Sequence, residues 1–190
     1  LYTSIWESLR YSVFQVASII STTGFATADF VLWPHFSQTI LVLLMFCGAC
    51  AGSTGGGIKC SRVLILLRSI RREIHRVIHP RSVEVVKLDG KVVEEDTLRS
   101  ISVFVGSYLF IILAATLIIS LDDFPFSVSF SSALTCISNV GPGLELVGPT
   151  GNFSAFSHLS KIVMSLCMII GRLEIFPILV LFSRQAWRHT

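Results

Sequence analysis

Two short stretches place a glycine beside hydroxyl or amide residues at the end of an apolar run. They read Ser21-Thr22-Thr23-Gly24 and Ser138-Asn139-Val140-Gly141. Glycine adopts backbone angles that are closed to other residues, so a loop that contains it can point its carbonyl oxygens at a common centre. Such oxygens can replace the water that a cation sheds in a narrow filter. Both stretches are therefore candidates for cation coordination by the backbone.

A glycine-rich segment is the second candidate site. Residues 48–57 contain five glycines, with a hydroxyl pair between them and a lysine soon after: Gly48, Gly52, Ser53, Thr54, Gly55, Gly56, Gly57 and Lys59. Each glycine disfavours a helix by about 1 kcal/mol relative to alanine, so the helix should unwind here. A loop within a pore can block ions and swing aside. Close helix packing through small residues is the alternative.

Arg172 lies about midway along the apolar run 162–182. An arginine at the centre of a membrane helix costs at least about 2.5–3.5 kcal/mol. Glu174 is only two residues away and would not share its helix face. We therefore expect Arg172 to face either a wet pore or a carboxylate from another part of the protein.

The composition predicts an all-α membrane protein. Hydrophobic residues make up 52% of the chain and charged residues only 14%, far fewer than in a soluble domain. Ile101–Leu121 has no charged residue and, at about 1.5 Å per residue, can cross a bilayer core of about 30 Å. The runs 39–51 and 58–67 form one interrupted span, and 162–182 forms another. Tyr11–Phe25 and Phe126–Val140 are too short to cross and read as re-entrant segments.

Charge predicts the orientation of these segments. Most of the 15 basic residues lie between Lys59 and Arg99, so residues 59–99 and the C-terminus should be cytoplasmic. Within that stretch, Asp89-Gly90 between valine-rich runs predicts a small hairpin. The preceding basic helix end either touches anionic lipid or docks a cytosolic partner; it contains Arg68, Arg71, Arg72 and Arg76. A net charge of +3 gives no reason to expect nucleic-acid binding.

Four acidic residues fall on the predicted outer side: Asp29, Asp122, Asp123 and Glu145. They could concentrate cations at a pore mouth, or they could be ordinary solvated loop acids.

The same order of predicted elements, a re-entrant helix, a glycine turn, an outer loop and a span, occurs twice along the chain. Adding 117 to the numbers of Ile20, Ser21 and Gly24 gives Ile137, Ser138 and Gly141. We expect one unit at 1–76 that lacks its first span, a cytoplasmic linker with the hairpin at 77–97, and a complete unit at 98–190. Span, pore helix, filter and span is the plan of a potassium channel subunit. Because the first unit is incomplete, the chain is expected to be a piece of a longer polypeptide.

Four motifs resemble the Trk/Ktr/HKT superfamily of cation transporters. They are Ser21–Phe30 (STTGFATADF), Gly52–Lys59 (GSTGGGIK), Asn139–Gly143 (NVGPG) and Gly171–Ile175 (GRLEI). The resemblance spans nearly the whole chain. It implies four tandem channel-like repeats around one pore, of which this chain supplies the third without its first helix and the whole fourth.

The resemblance also implies residue roles. Gly24 and Gly141 would be filter glycines, and the carbonyls of Thr22, Thr23, Asn139 and Val140 would face a potassium ion. The segment 52–57 with Lys59 would be an intramembrane gating loop. Arg172 would lie in the pore just below the filter and raise the barrier to cations.

The same resemblance implies the setting of the protein. It would reside in a bacterial inner membrane and take up potassium, without an organic cofactor in this chain. Its partners would be the N-terminal half of the same polypeptide, a second full-length copy, and a cytosolic TrkA-like nucleotide-binding regulatory subunit.

Two other classes of protein fit the sequence less well. A secondary transporter coupled to sodium or protons also has broken helices and buried charges, but it would not explain two filter-like units. An enzyme is disfavoured because the sequence shows no paired carboxylates and no nucleophile with a base. The segment 52–60 looks like a phosphate-binding loop, but Ile58 and Cys60 stand where that motif needs other residues.

Overall fold

The computed structural model describes residues 2, 4–48, 50, 53, 55–80 and 85–173. The described part contains six α-helices, two two-stranded sheets and three short 3-10 turns. The helices are α1 (Ile5–Ile20), α2 (His35–Phe46), α3 (Cys60–Ile78), α4 (Glu95–Ile119), α5 (Phe126–Ser138) and α6 (His158–Leu173). The strands are β1 (Cys47–Gly48), β2 (Ile58–Lys59), β3 (Lys87–Leu88) and β4 (Lys91–Val92), and the 3-10 turns are Phe30–Leu32, Ser120–Asp122 and Glu145–Val147.

Helix α5 lies at the centre of the fold. It packs against α2, α4 and α6, and ten of its thirteen residues are buried. Its small polar side chains, such as Ser131 and Thr135, are fully buried and bond to backbone groups of the segment that follows the helix. A short helix enclosed in this way can hold the segment at its end in a fixed position.

Helix α4 is the predicted span. Together with the turn that follows it, the helix runs from Glu95 to Asp122, and within the described residues it is the one helix long and apolar enough to cross a membrane. Helices α2 and α5 are shorter apolar helices, as the run lengths predicted. Helix α6 is described to Leu173, so the remainder of the predicted span 162–182 lies outside the described residues.

Helix α1 corrects the sequence prediction at its start. The run was expected to begin at Tyr11, but the helix begins at Ile5 and has 16 residues. The polar Arg10 falls within it on an exposed face, where a charge does not interrupt a helix. The predicted end was nearly right, since the helix stops at Ile20 before the glycine turn.

The predicted hairpin is present between α3 and α4. Asp89 and Gly90 both have positive φ, 49° and 77°, as a type I′ turn requires. β3 and β4 pair in antiparallel register, and Val86 beside them is buried in a small cluster with Ile65 and Leu98. The hairpin is therefore packed onto the two helices that it connects.

Two of the four arginines at the end of α3 contact this part of the same chain. Arg68 donates a hydrogen bond to the carbonyl of Lys87, and Arg72 pairs with Glu95 at the start of α4. The sequence had suggested lipid or a partner for this basic cluster. In the structure, Arg68 and Arg72 hold the hairpin and α4 against α3, and a lipid or partner contact of the cluster stays a prediction.

Candidate functional site

The turn after α1 is defined by backbone hydrogen bonds and one side chain. The N–H of Thr22 donates to Ile19 O at 3.1 Å, and the N–H of Thr23 donates to Ser18 O at 2.9 Å. Thr22 has a φ of 55° and Gly24 a φ of 77°. The Ser18 hydroxyl donates to the carbonyl of Phe25 at 2.6 Å. The chain thus leaves the helix in a tight left-handed turn.

The turn after α5 repeats this geometry. The N–H of Asn139 donates to Cys136 O at 3.2 Å, and the N–H of Val140 donates to Thr135 O at 3.0 Å. Asn139 has a φ of 54° and Gly141 a φ of 107°. The Thr135 hydroxyl donates to the carbonyl of Pro142 at 3.0 Å. Every residue in these bonds lies 117 positions after its counterpart in the first turn.

The two turns lie against each other. A Cβ atom built on Gly24 would overlap the carbonyl oxygen of Val140 and would lie 3.3 Å from Cδ of Pro142. Only a residue without a side chain allows this approach, and the positive φ of Gly24 disfavours a side chain for a second reason. The residues expected at the filter, Thr22, Thr23, Gly24, Asn139, Val140 and Gly141, are thus together in two adjoining turns.

The glycine-rich segment interrupts a helix, as its composition predicted. α2 ends at Phe46 and α3 begins at Cys60. Between them β1 and β2 pair in parallel, with Cys47 opposite Ile58, and the Cys60 thiol contacts Gly48 O at 3.1 Å. The segment is therefore a loop closed at its base. Of the predicted gating residues, Gly52 and Thr54 lie outside the described residues.

This glycine loop packs under the end of α5. A Cβ atom on Gly56 would overlap the carbonyl oxygen of Ser138 and lie 2.7 Å from its carbonyl carbon. On the other side, a Cβ atom on Gly171 would overlap the carbonyl oxygen of Ile137. The loop and α6 thus both contact the backbone that immediately precedes the second turn.

A cavity of about 160 Å³ lies between the glycine loop, α3, α4 and α6. Most of its lining residues are basic, aromatic or glycine. The lining consists of Ser53, Gly55, Gly57, Lys59, Arg62, Phe104, Tyr108, Ile170, Gly171 and Arg172. Lys59 and Arg172, named from sequence, are therefore brought to one space. Three of its lining residues, Lys59, Arg62 and Arg172, are basic.

Sequence reasoning missed three residues of this cavity. The Arg62 guanidinium carbon lies 4.1 Å from the centre of the Phe104 ring, a cation–π contact. Tyr108 is 2% exposed, and its phenol is 2.7 Å from the hydroxyl of Ser138. A tyrosine in the middle of an apolar span needs a polar partner, and that signal could have identified Tyr108.

Three of the acids predicted to lie on the outer side hold loops in place. Asp29 accepts from the N–H of Val31 at 3.0 Å and from the Thr150 hydroxyl at 3.3 Å. Asp122 accepts from the N–H of Ser157 at 3.0 Å, and Glu145 accepts from Ser127. These contacts favour the interpretation that Asp29, Asp122 and Glu145 are loop acids and do not serve to concentrate cations.

The described residues contain no cluster of three His, Cys, Asp or Glu side chains that could hold a metal ion. Glu174 falls outside the described residues, so the expectation that it does not share a helix face with Arg172 stays a prediction.

The described fold, with one helix long and apolar enough to cross a bilayer beside several shorter apolar helices, is that of a helical membrane protein. The family model described as "TrkH: Cation transport protein" matches residues 4–188, and the chain belongs to this family of transport proteins, which are not enzymes. The Trk system potassium uptake protein TrkH of Salmonella typhimurium is 36% identical over 100% of this chain and 39% of its own length. TrkI of Halomonas elongata is 33% identical over 98% of this chain and 38% of its own.

A solved structure agrees with the sequence comparisons. The crystal structure of the potassium transporter TrkH from Vibrio parahaemolyticus superposes with a TM-score of 0.87 at 34% identity, covering 98% of this chain and 40% of that one. This chain therefore spans about two fifths of the length of the relatives that it matches.

Proposed function

We propose that this chain takes part in potassium uptake across a bacterial inner membrane, as part of a longer polypeptide that forms one pore. The support is membership of the family together with the names of relatives, which are potassium uptake proteins. The chain would contribute two channel-like repeats, at 1–76 and 98–190, joined by a cytoplasmic linker at 77–97.

The observation that carries this proposal is the pair of adjoining turns. Their hydrogen bonds and left-handed residues recur at the same offset, and Gly24 contacts the Val140 carbonyl. Two short helices that end in equivalent turns at one place suit a filter built from several repeats. Carbonyls of Thr22, Thr23, Asn139 and Val140 would then replace the hydration shell of potassium.

The glycine loop and Arg172 would form the gate below this filter. The loop lies against the backbone at Ser138, and Arg172 lines the cavity that the loop borders. A loop in that position obstructs the path from the filter to the cytoplasm, and the arginine adds an electrostatic barrier. Movement of the loop away from α5 would open the path.

The partners follow from the same family relationship. The missing repeats would come from the rest of the polypeptide, which would lie in the bilayer with residues 59–99 and the C-terminus on the cytoplasmic side. Two full-length copies and a TrkA-like regulatory subunit complete the assembly. In the proposed orientation, the hairpin at 85–93 and the exposed end of α3 would face this side.

The test is ion flux through the full-length protein in liposomes, measured with potassium and sodium gradients. We expect passive potassium-selective flux, and a reduced potassium-to-sodium ratio in Gly24→Ser and Gly141→Ser. Gly106→Ser is the matched control, because a Cβ on Gly106 in α4 meets nothing within 4 Å. Flux that requires a coupled sodium or proton gradient would instead support a secondary transporter.

A further inference from the structure

The side-chain amide of Asn139 connects the turn after α5 to helix α6. Its Nδ2 donates a hydrogen bond of 3.2 Å to the carbonyl oxygen of Met168. In an α-helix that carbonyl also receives the N–H of the residue four positions later, which is Arg172. The amide therefore contacts the turn of α6 that carries the arginine.

The same amide lies close to two glycines. A Cβ atom on Gly171 would come within 2.9 Å of Asn139 Nδ2, and a Cβ atom on Gly56 within 3.1 Å. Side chains at either position would press on the amide. The second turn, the glycine loop and α6 thus meet around one side chain.

The left-handed backbone at Asn139 suits asparagine or glycine, and only asparagine can also contact another helix through its side chain. Its φ of 54° is left-handed, and Thr22 has a φ of 55° at the corresponding place in the first turn. The β-branched Thr22 is strained in this conformation, whereas glycine would adopt it without strain. What distinguishes Asn139 is the bond that its amide makes to another helix.

We propose that Asn139 is a positioning residue for ion selectivity. Its amide fastens the second turn to α6 and so fixes the carbonyl oxygens of Asn139 and Val140 relative to those of the first turn. Selection between potassium and sodium depends on the arrangement of coordinating carbonyls. The inference rests on the proposed function and adds a role for the side chain, beyond coordination by the backbone.

The experiment compares the wild-type full-length protein with Asn139→Gly, Asn139→Asp and Asn139→Ser in liposomes. All three variants lose the Nδ2 donor. They differ in other respects, because glycine loosens the backbone, aspartate adds charge and serine is too short to reach Met168. Asn152→Gly is the control, since Asn152 is the other asparagine of the chain and lies exposed in the outer loop.

We expect the potassium-to-sodium permeability ratio to fall by about three- to tenfold in every Asn139 variant that accumulates in the membrane, which is the range a single hydrogen bond can supply. Asn152→Gly should keep the wild-type ratio. An unchanged ratio in Asn139→Gly or Asn139→Ser would overturn the inference. So would faster flux at an unchanged ratio, which would assign the amide to the loop, or a change confined to Asn139→Asp.

The result for the wild-type protein tests the proposed function separately from the role of Asn139. If it shows no potassium-selective flux, the proposed function itself fails. If the wild type is selective and the variants match it, only the role of Asn139 fails.

Discussion

The carbonyl oxygen of Ser138 occupies the space that a side chain on Gly56 would need. Ser138 is the last residue of α5, and Gly56 belongs to the glycine loop. Because the conflict would be with backbone atoms, no change of side-chain rotamer could relieve it. The residue type at position 56 therefore decides whether the loop can stay in this position.

Replacing Gly56 with alanine should displace the loop from the end of α5. If the loop obstructs the cation path, potassium flux through the full-length protein should rise severalfold in liposomes. Gly106→Ala is the control, because its Cβ would enter open space and alanine favours a helix by about 1 kcal/mol over glycine. Wild-type flux in a Gly56→Ala protein that accumulates normally would contradict a blocking role for the loop.

Replacing Arg172 with alanine should also speed potassium flux. The side chain lines a cavity with Lys59 and Arg62, and under the proposed function removing its charge would lower the barrier to a cation. The measurement is initial potassium uptake at equal protein levels. Arg172→Lys keeps the charge and should stay near the wild-type rate, so slower flux in both variants would point to a structural ion pair.

The hydrogen bond between Tyr108 and Ser138 should contribute to stability. Tyr108→Phe would leave the buried Ser138 hydroxyl without this partner, which costs about 1–3 kcal/mol in the free energy of unfolding. The measurement is unfolding of the full-length protein in detergent. Ser138→Ala combined with Tyr108→Phe should cost less than the sum of the two single changes. Simple additivity would show that the two groups do not interact.

The stability of the hairpin turn should depend on Gly90. Its φ of 77° is left-handed, and a valine there would cost about 1–2 kcal/mol. Gly90→Val should therefore speed hydrogen exchange at the Val93 amide, which donates to the carbonyl of Val86 at 2.9 Å. Gly90→Asn serves as the control because asparagine tolerates this conformation. Equal protection in both variants would mean that packing alone holds the hairpin.

Local patterns allowed much of the fold to be predicted from the sequence. The charge-free run at 101–121 identified α4, and the five glycines at 48–57 predicted the break between α2 and α3. Asp89-Gly90 predicted the hairpin turn. Each of these signals depends on the intrinsic preferences of neighbouring residues, which the tertiary structure did not override. The start of α1 was missed: the helix begins at Ile5 and includes Arg10, which lies on an exposed face.

Contacts between distant segments were decided by the tertiary structure. The sequence showed that glycines were present at 24, 56 and 171, but not that each lies against a backbone segment near the end of α5. It likewise gave no indication that the Asn139 amide reaches Met168 or that Arg62 lies over Phe104. The chain by itself determined where helices stop and turn, because those choices are local. Which turns and loops meet depends on how the helices pack around α5, and that depends on all of them together.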